Sequence, residues 1–342
     1  MVTEMMRGAD SRKRHREIGM GSRWIIAAVA VLMGSTAGAE DAPSLSKTQI
    51  GAAPLLETTA SFYVRLREDL SFVDATPLNS ASITRQAHER LASHPVDRMA
   101  RAQLAYAALI AAESPRFAAS LAEKGQRDKR REAFLEDLRE NPGVVRDLRG
   151  ADEAIEAIRT AFAKDAMRIE ALGDRYIADA YRLQETGWAR SKLPTKGMTR
   201  VNAAKSYKES RDWVTYAPRA QSSDMKGARI PLLKTDQAWS PDWSSEVPPA
   251  APPLDQDRQF YMTKALVLAA RYALDDLNTQ HLEAYKPNRR GKRCYTMAML
   301  NFDQCIAATR TSYEEAFCIG THGLQDVSRC VGWIAEAGSP RG

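Results

Sequence analysis

Apolar residues recur at helical spacing through most of the chain. Leu55, Leu56, Phe62, Leu66, Leu70 and Phe72 predict a first helix from residue 53 onward. Ile83, Ala87 and Leu91 predict a second, ending at His94-Pro95, because the residue before a proline is pushed out of the helical region. A third opens at Asp97 and carries Met99, Leu104, Ala107, Ala108 and Ala111, small residues that let helices approach closely. Ser114 followed by Pro115 reads as a cap with proline at the first helical position, which begins a fourth. Over 127–141 only Phe134 and Leu138 are well-spaced apolar positions, so a charged surface helix is expected, stopped by Pro142-Gly143. From Asp152 the longest pattern runs through Ile155, Ile158, Phe162, Leu172, Ile177 and Tyr181, with one bend expected near Gly173. A helix of that length serves as the spine of a bundle.

The pattern breaks over 187–254. This stretch holds Pro194, Pro218, Pro231, Pro241, Pro248 and further prolines, and four of the six tryptophans: Trp188, Trp213, Trp239 and Trp243. Such punctuation predicts an irregular insert, and the tryptophans predict that it is pinned onto the helical body. A functional reading makes them an aromatic platform for glycan or peptide, with Trp239 and Trp243 flanking a compact Ser240-Pro241-Asp242 turn. Periodicity returns over 255–278, where Phe260, Met262, Ala265, Leu266, Ala269 and Leu277 predict a centrally packed amphipathic helix. A polar joint from Lys286 to Lys292 leads to a last helical region. There Tyr295, Met299, Phe302 and Ile306 form one stripe, Ser312 and Glu315 fit a capping box, and Gly320 and Gly323 interrupt the second arm before Cys330, Val331 and Ile334.

The fold expected is all-α: a multi-helix bundle with a long irregular Pro/Trp-rich insert and a C-terminal, disulfide-braced helical hairpin. The organisation expected is a cleavable signal peptide (1–39), a mobile N-terminus (40–52), a helical domain (53–186), the insert (187–254) and the C-terminal helices (255–338). No 34-residue tetratricopeptide period emerges.

The signal peptide rests on residues 24–39. An apolar core from Trp24 to Met33, too short to span a bilayer comfortably, follows basic residues and precedes Ala37-Gly38-Ala39, the small-x-small pattern of a cleavage site. Met20 offers an alternative start with a more compact leader. Export to a bacterial periplasm is the expected localisation. The formal net charge of +6 shrinks to about +3 without the first 39 residues, and no dense basic run interleaved with aromatics occurs, so nucleic acid is not an expected partner.

Export sets the reading of the four cysteines, Cys294, Cys305, Cys318 and Cys330. In an oxidising compartment four cysteines form two disulfides, and a hairpin favours the nested pairing, Cys294 with Cys330 and Cys305 with Cys318. The competing reading is a metal site, with Cys318 and His322 four residues apart and Cys305 or Cys330 completing it; the absence of a close C-x-x-C pair weighs against it. No H-E-x-x-H, G-x-S-x-G or phosphate-loop pattern is present, and no cofactor is expected. A periplasmic helical enzyme of the lytic transglycosylase type needs one catalytic glutamate in a groove; Glu314 and Glu315, beside Tyr313, are the candidates, against a reading of one capping carboxylate and one solvent-facing partner. The function expected is therefore a non-catalytic binding or assembly protein of the cell envelope, with a protein partner or peptidoglycan. A peptidoglycan-active enzyme and a metal-handling protein are the alternatives.

Overall fold

The computed structural model describes residues 53–213, 247–286 and 289–335. The expected signal peptide, the N-terminal segment before residue 53, and Trp239 and Trp243 lie outside these residues. What is described is mostly helical: α1 (Ala53–Ala75), α2 (Ala81–Ala92), α3 (Val96–Glu113), α4 (Pro115–Gly125), α5 (Asp128–Glu140), α6 (Ala151–Leu183), α7 (Gly187–Arg190), α8 (Gly197–Ser210), α9 (Gln256–Ala273), α10 (Thr279–Ala284), α11 (Arg289–Ala308), α12 (Ser312–Cys318) and α13 (Asp326–Gly332). Among the described residues, extended pairing is confined to an isolated antiparallel bridge between Lys192 and Thr311.

The centre of the molecule is α3. Every residue from Ala102 to Ala111 is buried, so this stretch of the helix is enclosed on all sides rather than amphipathic. Its alanines, as their density in the sequence implies, let neighbours approach closely: α1, α9, α11 and α6 all pack on it. A single hydrophobic core joins residues of α1 to α6 with residues of α9 to α13. The centre is not wholly apolar. The Arg67 guanidinium of α1 meets the Asp165 carboxylate of α6 at 3.2 Å, both nearly inaccessible, and donates to the Tyr106 hydroxyl of α3. The Tyr63 hydroxyl donates to the other Asp165 oxygen at 2.6 Å. The Tyr106 and Tyr63 hydroxyls, one on each member, help offset the cost of burying this charge pair.

Local details refine these expectations. The long helix α6 is continuous through Gly173, and Gly320 and Gly323 do not end the second arm of the hairpin. Instead, α12 continues through a π-helical stretch, Ile319–Gln325, into α13. The two stretches meet at glycines. A Cβ on Gly173 would lie 3.0 Å from the Gly320 carbonyl oxygen, and one on Gly320 would lie 2.7 Å from Ile177 and 3.0 Å from the Gly173 oxygen; the glycines let the two helices touch backbone to backbone. Residues 187–213, the described start of the expected irregular insert, carry α7 and the 14-residue α8. Finally, Phe260 is 63% exposed. At about 100° per residue it falls on the side of α9 opposite Met262, which shares the inner face with Ala265, Leu266 and Ala269.

Candidate functional site

The disulfides are Cys294–Cys330, tying α11 to α13, and Cys305–Cys318, tying α11 to α12. Cys318 therefore presents no thiolate to a metal. The other half of that candidate, His322, places Nδ1 2.8 Å from the Asp326 carboxylate one turn on. Among the described residues no group of three or more His, Cys, Asp or Glu side chains is placed to hold a metal ion.

The two candidate glutamates have different fates. Glu314, not Glu315, completes the capping box, with Thr311 rather than Ser312 as its partner. Its Oε2 accepts from the backbone N–H groups of Arg310 at 2.6 Å and Thr311 at 3.0 Å, satisfying donors that a helix start otherwise leaves orphaned. Glu315 does not face solvent, as expected for the partner of a capping residue, but is fully buried. Its Oε1 lies 3.4 Å from His88 Nδ1 of α2 and 3.5 Å from Arg200 Nε of α8. His88 is also fully buried, edge-on to Phe302, and Arg200 is anchored by the Thr309 carbonyl at 2.9 Å. This His–Glu–Arg group joins α2, α8 and α12. All three side chains are buried.

A second buried polar junction sits where α1, the end of α2 and the residues after α8 meet. Asp69 is flanked by His94 Nε2 at 2.9 Å, by the Arg211 guanidinium at 2.6 Å and by Arg90 at 3.1 Å. Burial works to raise the Asp69 carboxyl, but His94 and Arg211 outweigh it and hold it below its ordinary value. Burial depresses His94 despite the pull of Asp69. Trp213 closes the junction: its ring stacks on Phe62 at 5.7 Å, meets His94 edge-on, and lies under the Arg211 guanidinium. Trp188 is half-buried against the same core. Both described tryptophans of the insert thus pack on the helical body.

Among the depressions on the described surface, two bear on function. One, of about 370 Å³, lies beside the Cys305–Cys318 bridge and is lined by Tyr181, Tyr313, Phe317 and the side of Glu314; Tyr181 and Phe317 meet edge-on at 6.1 Å and are partly exposed. The other, a cleft of about 860 Å³, lies between the first turns of α3 and α9 and the start of α11. Arg101, Lys264, Lys286, Arg289, Arg290 and Lys292 line it, together with Asp97, Asp257, Phe260 and Tyr261. Lys264 lies over the Phe260 ring at 4.5 Å, and its ammonium donates to the Lys286 carbonyl at 2.7 Å. Desolvation pulls the Lys264 ammonium below its ordinary value. Periodicity reveals only part of this cleft. The basic run Lys286 to Lys292 is visible in the sequence as a polar joint, but Arg101 and Lys264 come from helices distant in the chain, and nothing in their spacing announces the meeting.

No described helix is long and apolar enough to cross a membrane, and the two disulfides point to an oxidising compartment outside the cytosol. Comparison of the chain with known protein families, with curated proteins and with solved structures finds no match.

Proposed function

We propose that this chain is a non-catalytic binding protein of the cell envelope, exported to the periplasm and held there by its two disulfides in one rigid helical form. Its partner is an envelope protein or peptidoglycan itself. The observation that supports this reading best is the state of the two glutamates: Glu314 spends an oxygen on two backbone donors at a helix start, and Glu315 is sealed behind His88 and Arg200. A general acid must reach the bond it protonates, and Glu315 reaches none.

One observation favours a second reading, a peptidoglycan-cleaving enzyme. Glu314 also borders the aromatic depression beside Cys305–Cys318. The two readings separate when the purified chain is incubated with isolated envelope fragments. Retention on the sedimented material with no soluble muropeptide is the expected outcome. Released muropeptides that disappear with Glu314→Gln would overturn the binding reading in favour of the enzyme.

A further inference from the structure

We infer that the cationic cleft between α3, α9 and α11 binds an acidic saccharide, a sugar oligomer carrying carboxylate or phosphate groups. This rests on the reading of the chain as a binding protein and names the ligand class of one site on it. Six cationic side chains face two carboxylates there. The arginine forks pair with carboxylate or phosphate through two parallel hydrogen bonds, and the lysines add point charges.

Two further features select a saccharide from among anions. Phe260 stands 63% exposed at the cleft, with Lys264 over its ring; an aromatic plane in water costs free energy that a sugar face laid against it would recover. Asp97 and Asp257 weaken the site for a bare polyanion but accept hydrogen bonds from hydroxyl groups. The cavity of about 860 Å³ lies within the range of roughly 300–1,000 Å³ seen for small-ligand sites. Its concavity suits a short oligomer better than the plane of a bilayer, which touches only a rim.

The test uses the full chain and titration calorimetry at low and at physiological salt. The probes are a galacturonate oligomer, a phosphorylated maltose oligomer, a neutral galactose oligomer of equal length, a glutamate peptide, inorganic phosphate and phosphatidylglycerol vesicles. At least one acidic oligomer is expected to bind roughly tenfold or more tightly than the neutral one, since charge-assisted hydrogen bonds carry the difference. Which acidic oligomer binds identifies carboxylate or phosphate as the recognised group. The exposed pair Arg289→Glu with Lys292→Glu is expected to weaken that binding roughly tenfold, and Phe260→Ala roughly fivefold with competition by inorganic phosphate unchanged. Equal affinity for the neutral oligomer, tighter binding of the glutamate peptide, the vesicles or phosphate alone, or parent-like affinity in these variants would overturn the inference. If neither acidic oligomer binds while the chain still sediments with envelope fragments without releasing muropeptides, this inference falls and the binding reading stands. Muropeptide release would instead overturn the reading beneath it.

Discussion

At the scale of single residues, the side chains that matter most are charged groups inside the protein. Glu57 on α1 is 2% exposed, accepts a hydrogen bond from the Tyr272 hydroxyl at 3.0 Å and lies near Glu113. Burial lifts its carboxyl from the ordinary 4.5 to about 7. Below the ordinary value both folded and unfolded chains hold the proton. Between the two values the unfolded chain has released it and the folded chain has not, so stability declines as pH rises through this window. Glu57→Gln keeps an acceptor for Tyr272 without the charge. Its stability relative to the parent, from urea unfolding, is expected to improve from pH 4.5 to pH 7, and a difference independent of pH would refute the assignment. Glu315 gives a second expectation. Removing one member of a buried charge group leaves the others uncompensated, so Glu315→Ala is expected to cost about 3 kcal/mol, read as a lower urea midpoint at unchanged slope. Replacing Arg200 and Glu315 together by methionine should recover most of that loss. Neither role is visible in sequence. Ser312-x-x-Glu315 and Thr311-x-x-Glu314 both satisfy the capping pattern, and only the packing of α12 against α2 and α8 decides which glutamate turns inward.

At the scale of elements, the hairpin of α11 against α12, the π-helical stretch and α13 is the most tightly specified unit. Its two cross-links close loops of different length, with sequence separations of 36 and 13 residues. Because restriction of the unfolded chain grows with the logarithm of loop length, replacing Cys294 and Cys330 by serine is expected to cost about 4 kcal/mol, and replacing Cys305 and Cys318 about 3 kcal/mol. Urea unfolding of the two double variants checks the order. The existence and spacing of these helices follow from apolar periodicity, and the ends of several follow from local chemistry: Pro115 opens α4, and the Asn141 side chain caps the short 3-10 turn that follows α5. The π-helical stretch does not follow from local chemistry. Glycine reads locally as a helix breaker, because its backbone entropy opposes helix formation; here that cost is offset by contact between Gly173 and Gly320, which no local signal encodes.

At the scale of the whole molecule, α3 organises the fold. Its stretch from Ala102 to Ala111, sealed on every side, has no face on which extra volume can escape to solvent. Ala107→Leu, at a position with 0% exposure, is therefore expected to cost about 1–3 kcal/mol through overpacking, measurable as a lowered thermal midpoint. Around this axis the described surface offers a cationic cleft and an aromatic depression, and these carry the functional proposals. By itself the sequence determined the helical class, the positions of most helices and the lack of a familiar catalytic motif, because each depends on local spacing, composition or short motifs. Tertiary structure alone decided which helix is central, which glutamate is buried, that Phe260 faces outward, and that Arg101 and Lys264 join the Lys286 to Lys292 run. Those outcomes depend on which helix faces meet across long separations in the chain, and the geometry of that meeting is a property of the packed core.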